Sequence, residues 1–188
     1  MAATLPLAWL VARSAGLVAF GLLTLSVWLG LGMSTRLAPK RQKQLMALHR
    51  SLAWTGLSMI GLHVVALLWD PTLHFNLLSV LVPGAAGWKP GAVALGVVAG
   101  WLTLALAASF RARKYLGQKG WRRLHYASFA AFWLSLGHAL LVGSDLQGLG
   151  GPVTALLAAG PVLMLTFYRL LVPRSAPRPA PVAAPSAA

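Results

Sequence analysis

HRSLAWTGLSMIGLH, residues 49–63, opens and closes on histidine within a segment otherwise apolar enough to cross a lipid bilayer. A second stretch, HYASFAAFWLSLGH at residues 125–138, follows the same pattern with one residue fewer between its histidines. Membrane spans rarely carry ionisable side chains without a function. At about 1.5 Å rise per residue, each histidine pair covers roughly 20 Å along its helix. One histidine of each pair therefore lies towards one membrane face and its mate towards the other. Two helices marked in this way can clamp two stacked ligands between them. The ligand pair that suits four such imidazoles is two haems, each iron held by one histidine from each helix.

Composition points to the same setting. The chain has 188 residues, 58% hydrophobic and 10% charged, with two acidic side chains against sixteen Lys and Arg. A soluble domain carries about 25% charged residues, so the expected fold is all-α, a polytopic transmembrane bundle in a lipid bilayer. The formal charge of +14 does not indicate nucleic acid, because the basic residues fall in the connections between apolar segments and form no aromatic-interleaved basic face. Cysteine is absent, which excludes disulfides, iron–sulfur clusters, thiolate nucleophiles and covalently attached haem. Any haem is thus of the non-covalent b type.

Five spans are expected, at about Leu7 to Met33, Leu45 to Trp69, Gly91 to Phe110, Trp121 to Ser144 and Pro152 to Val172. The first has no basic leader, carries Arg13 near its start and is too long for a signal-peptide core, so it reads as a retained helix. Fourteen of the sixteen basic residues flank the first and third connections and the carboxyl end; only Arg13 and Lys89 lie on the other side. The positive-inside rule then puts the N-terminus outside and the C-terminus in the cytoplasm, as expected for the cytoplasmic membrane of a bacterium. The second and fourth spans run in the same direction, so His49 and His125 share an inner depth, and His63 and His138 an outer one. Asp70 and Asp145 each follow the outer histidine of their span by seven residues, and Leu-His opens both segments, the trace of a weak internal repeat. The stretch HFNLLSVLVPG, residues 74–84, suits a short apolar helix on the outer surface. Residues 173–188, PRSAPRPAPVAAPSAA, form a Pro- and Ala-rich tail expected to be disordered and cytoplasmic.

Several residues are candidates for the surroundings of such ligands. Gly56 lies midway between His49 and His63 and offers either a close approach for a flat macrocycle or close helix packing. Arg50, Arg122 and Arg123 adjoin the inner histidines and can pair with haem propionates, although the positive-inside bias explains them equally. Arg13 either snorkels to the interface or faces the outer haem. Trp9, Trp69, Trp88 and Trp121 sit near span ends, as in an aromatic belt. One spacing fits imperfectly: at about 100° per residue, a separation of fourteen misses one helix face by roughly 40°, but thirteen misses it by about 140°. Tilt, local winding or haem placement must absorb the difference. The competing reading, in a different functional class, is a non-redox membrane protein whose histidines are structural or bind a metal ion.

The chain resembles the ferric-reductase-like transmembrane domain family, which includes ferric reductases, NADPH oxidases and the haem subunit of bacterial methionine sulfoxide reductase. The likeness rests on the two histidine segments, on ARSAGLVAFGLLTLSVWLG at residues 12–30, on LVPG…WKP between residues 81 and 90, and on GWRRLH at residues 120–125. It implies that residues 1–172 are a di-haem domain, with His49 and His125 on the inner haem and His63 and His138 on the outer one. It further implies that Arg13 matches an arginine placed near the outer haem in some oxidases, and that a thirteen-residue separation is tolerated. Five expected spans depart from the oxidases' six, and nothing after residue 172 resembles a flavin- and nicotinamide-binding domain. The expected activity is transmembrane electron transfer from a separate cytoplasmic donor, a flavoprotein or a quinol, through two b haems to an outer acceptor. That acceptor would be ferric iron, oxygen or a partner reductase; the alternative within redox chemistry is the haem subunit of a two-component methionine sulfoxide reductase.

Overall fold

The structure, a computed structural model, describes residues 7–35, 39–146 and 148–172. The expected disordered tail at residues 173–188, with Arg174 and Arg178, lies outside them, as does Arg36. Among the described residues the regular structure is helical throughout, with no strand. The helices are α1 (Leu7–Ser34), α2 (Gln42–Leu68), the short α3 (Leu77–Leu81), α4 (Pro90–His125), α5 (Ala127–Val142) and α6 (Gly150–Leu171).

Among the described residues four stretches are long and apolar enough to cross a membrane: Leu7–Ser34, Pro39–Leu68, Pro90–Val142 and Gly150–Leu171. Only 11 to 22% of the residues in their most apolar windows are buried inside the protein. Leu156, Leu157 and Leu170, among others, point outwards. A soluble bundle would turn such residues inwards; here they indicate a lipid bilayer around the helices, and hence a membrane protein.

Two antiparallel hairpins make up most of the bundle. In the first, His63 of α2 bonds the Ala12 carbonyl of α1 while His49 bonds that of Ser26. In the second, His138 of α5 bonds the Ala92 carbonyl near the start of α4, and the Lys89 ammonium donates to the Leu141 carbonyl at 2.6 Å. The 53-residue stretch from Pro90 to Val142 is therefore folded back on itself. The reversal falls at Gly117, whose φ of 67° and ψ of 166° suit a residue with no Cβ. A loop is expected over residues 111–120, yet helix continues past residue 110, because Ala, Arg, Lys and Leu there are strong helix formers and only glycine stops them. The bounds of α1, α2 and α6 differ from expectation by no more than three residues.

The helix α6 packs on α1 and α5 through Leu31, Phe132, Leu136, Ala158 and Val162, and the Trp28 indole donates to the Ala158 carbonyl at 3.1 Å. Between α1 and α2, where packing is most extensive, α1 buries Ala12, Ala15, Ala19 and Ser26. Small residues let backbones approach closely, the main attraction available to helices in lipid. One end of the bundle, the acidic end, carries Asp70, Asp145, Arg13 and Lys89. There Asp70 is buried and accepts from the Thr72 backbone N–H and hydroxyl at 2.7 and 2.6 Å. The short helix α3, capped by the Asn76 side chain, covers this end as expected, and the Trp101 indole bonds its Leu81 carbonyl at 2.9 Å. The opposite, basic end holds the remaining Lys and Arg of the described residues.

Thr72 and Gln118 are exposed at opposite ends of the bundle, and the chain has no cysteine of its own. Single Thr72→Cys and Gln118→Cys variants in sealed vesicles should react with an impermeant maleimide from opposite sides only. Labelling of both from the same side would contradict the arrangement.

Candidate functional site

The four histidines meet as two pairs between α2 and the chain that ends α4 and forms α5. His49 and His125 have ring centroids 6.3 Å apart with their planes at 71°; for His63 and His138 the values are 6.5 Å and 81°. Fourteen residues separate the α2 histidines, so the two levels stand roughly 20 Å apart along the bundle. The pairs are those expected from depth, and both run between parallel segments.

Three of the rings are seated in one manner. His63 Nδ1–H donates to the Ala12 carbonyl at 2.7 Å, His138 Nδ1–H to that of Ala92 at 2.9 Å, and His49 Nδ1–H to that of Ser26 at 2.9 Å. A carbonyl can only accept, so Nδ1 carries the proton and Nε2 of the neutral ring keeps its lone pair. One turn after each accepting residue stands a glycine. A Cβ on Gly16 would meet the His63 ring at 2.9 Å, one on Gly96 the His138 ring at 2.6 Å, and one on Gly30 the His49 ring at 3.5 Å. The histidine segments do not disclose this seat. Its signal is the repeated small-x-x-x-Gly on the partner helices: Ala12 to Gly16, Ser26 to Gly30, Ala92 to Gly96.

The fourth ring is held differently. Trp121 stacks on His125 with centroids 5.0 Å apart and planes at 26°. Phe110 meets that indole edge-on at 6.3 Å, and the Arg113 guanidinium lies 5.2 Å from its centre. Residues on either side of Gly117 touch because the chain reverses there. Trp121 thus adjoins the site, and its Nε1 is buried with no hydrogen-bond partner among the described residues.

The remaining candidates lie further off. Arg13 forms a bidentate ion pair with Asp145, beyond the end of α5, and stacks over Trp9 at 4.7 Å. Gly56 faces α1: a Cβ there would meet Leu23 at 2.8 Å, so its close approach serves helix packing and is not open to a macrocycle. Arg50 is exposed and lies 5.8 Å over Phe110, while Arg122 and Arg123 are exposed at the basic end. His74 sits in the connection before α3 with a left-handed φ of 51°.

No protein-family model, curated protein or solved structure matches the chain. Two metal–imidazole bonds of about 2 Å each would space ring centroids about 6 Å apart, close to both observed values. A metal-bound histidine ordinarily donates its other N–H to a carbonyl or carboxylate, the arrangement seen at three of the four rings. Among the described residues no three His, Cys, Asp or Glu side chains gather where a bare ion could be held.

Gly96→Ala should push His138 off its seat and destabilise the protein by about 1–3 kcal/mol, the usual cost of overpacking. Gly100→Ala, on the same helix with nothing within 4 Å, should be neutral or stabilising by up to about 1 kcal/mol. Thermal unfolding in detergent distinguishes the two.

Proposed function

We propose that this protein is a b-type di-haem carrier that moves electrons across the membrane, of the ferric-reductase-like kind. His49 and His125 would hold one haem, and His63 and His138 the other. The observation that carries this reading is the pair of crossed imidazole couples, 6.3 and 6.5 Å between centroids, stacked along one bundle with Nε2 free where Nδ1 is tied to a carbonyl. A b haem with two imidazole ligands supplies a one-electron couple that changes geometry little on reduction. The protein's part is to hold ring planes and tautomers fixed, so that neither ligand has to reorient.

Direction follows from charge. The positive-inside rule puts the basic end in the cytoplasm, and the hairpin from Pro90 to Val142 then makes two crossings, five in all. At about 1.5 Å per residue its two arms together trace about 80 Å of helix, far more than the roughly 30 Å hydrocarbon core. Electrons enter at His49 and His125 from a flavoprotein or a membrane quinol. They leave near His63 and His138, for ferric iron, oxygen or a partner reductase. Carboxylates are absent from the middle of the described spans, which favours electron transfer over a titratable proton relay.

Protein purified in detergent after haem-sufficient expression should carry two non-covalent low-spin haems per chain, measured by reduced-minus-oxidised spectra. His63→Ala and His49→Ala should each retain one, the double variant none, and His74→Ala both. Colourless wild-type protein would sink the proposal and leave a helical membrane protein with structural histidines.

A further inference from the structure

At the basic end α6 meets α1 and α5 along an open groove of about 340 Å³, lined by Leu31, Tyr126, Phe129, Thr166, Arg169 and Leu170. Its polar groups stand at one level. Arg169 donates to the Tyr126 hydroxyl at 2.9 Å and to that of Ser34 at 3.4 Å, with its guanidinium 5.7 Å from the centre of the Tyr126 ring. Arg169 comes nineteen residues after the start of α6, about 28 Å along it, which is the edge of the roughly 30 Å hydrocarbon core. One turn nearer the middle of the bundle on each helix stand Leu31, Phe129 and Thr166. Phe129 stacks with Tyr126 at an interplanar angle of 23°, and the Thr166 hydroxyl already donates to the Val162 carbonyl at 2.6 Å. The groove is therefore apolar inwards and cationic at its mouth. A guanidinium has five N–H donors, of which two are engaged here, and the Tyr126 oxygen accepts, so its own hydrogen is still to be given. No acidic side chain takes these donors, because Asp70 and Asp145, the two that the chain has, are both at the acidic end.

We infer that this groove binds one anionic phospholipid, its phosphate on Arg169 and Tyr126 and an acyl chain along Leu31, Phe129 and Leu170. A phosphate diester offers acceptor oxygens and no donor, which complements a mouth made of donors, and a guanidinium fork suits it geometrically. A zwitterionic headgroup has the same phosphate but brings a cation to an end whose other charged side chains are Lys and Arg. A free phosphate matches the mouth and leaves the apolar part of the groove uncovered. The phospholipid satisfies both levels at once, and bound there it ties α6 to α1 and α5. The inference does not depend on the di-haem reading.

The test follows thermal unfolding of the full-length protein, delipidated in detergent, as phosphatidylglycerol is titrated in. Wild-type protein should be stabilised by it at concentrations about tenfold lower than by phosphatidylcholine with the same chains, the usual scale of a charge-assisted hydrogen bond. Inorganic phosphate should give no comparable protection. Equal protection by phosphatidylcholine, or by inorganic phosphate, would overturn the inference. Arg169→Gln should weaken the response to phosphatidylglycerol about tenfold and leave that to phosphatidylcholine unchanged. Tyr126→Phe, which keeps the ring and loses the hydroxyl, should weaken it less. Lys119→Gln, exposed at the same end, should respond as wild type; a loss equal to that of Arg169→Gln would mean diffuse attraction to the basic end and no site. If Arg169→Gln does not fold, Tyr126→Phe decides, and an unchanged response to phosphatidylglycerol there overturns the inference.

Discussion

An imidazole inside a lipid-surrounded bundle cannot leave its second nitrogen to water, and this constraint organises the molecule. Each helical carbonyl already accepts from the N–H four residues on, but an oxygen has a second lone pair. That lone pair is normally covered, because helical side chains lean towards the N-terminus and the residue at i+4 lies over the turn holding carbonyl i. Glycine at i+4 uncovers it. Ala12 with Gly16, Ser26 with Gly30 and Ala92 with Gly96 are three instances of one device, and each receives a histidine from the neighbouring helix. The glycine that weakens a helix by roughly 1 kcal/mol is offset by a hydrogen bond that fixes both the tautomer and the plane of a ring.

The architecture follows from those seats. Because α1 seats both histidines of α2, and α4 seats one of α5, each hairpin is a brace together with the helix it orients. The two oriented segments face one another, so Nε2 atoms converge between hairpins rather than within them. The third contact, α6 against α1 and α5, closes the side away from the histidines. At the acidic end the Arg13–Asp145 pair joins the two hairpins where α1 presents Ala12 to His63. A charged pair about a third exposed contributes little to stability, but its fork geometry restricts how α1 and the end of α5 meet.

Much of this was legible in the chain. The apolar spans, the four histidines, their pairing by depth and the short helix α3 follow from periodicity and charge. What eluded sequence reading depends on the rotation of one helix against another. Gly56 is on the face expected for a haem approach by spacing, yet α1 occupies it; Gly16 and Gly96, outside both histidine-bracketed stretches, hold the rings. Arg13 finds Asp145, 132 residues away, a partner no local pattern discloses. Trp121 reads as one of several span-end tryptophans, although its spacing of four from His125 stacks the two rings within one helix; the reversal at Gly117 then adds Phe110 and Arg113 to them. The same reversal replaces an expected loop by helix, since helix propensity runs on to the first residue able to adopt the turn.

The unequal spacings, fourteen in α2 and thirteen before the end of α5, have a shared explanation with the odd seat of His125. Between His125 and His138 the chain is locally overwound: Tyr126 N–H bonds the Arg123 carbonyl and Phe129 N–H that of Tyr126, both three residues back. Such winding turns about 120° per residue against about 100° for α-helix, so one tight turn recovers about half of the roughly 140° misfit. The remainder falls on the helix break and on His125 itself. The register that sets His138 beside Ala92 brings His125 alongside residue 105, and one turn further on stands Ser109, not glycine. Its hydroxyl is turned to the Leu106 carbonyl at 2.7 Å, and no uncovered carbonyl awaits the ring. An imidazole displaced from the common face, with no glycine opposite, has to be held by something other than a backbone acceptor. The indole one turn earlier in its own helix meets that need without requiring the rotation that the thirteen-residue spacing cannot supply.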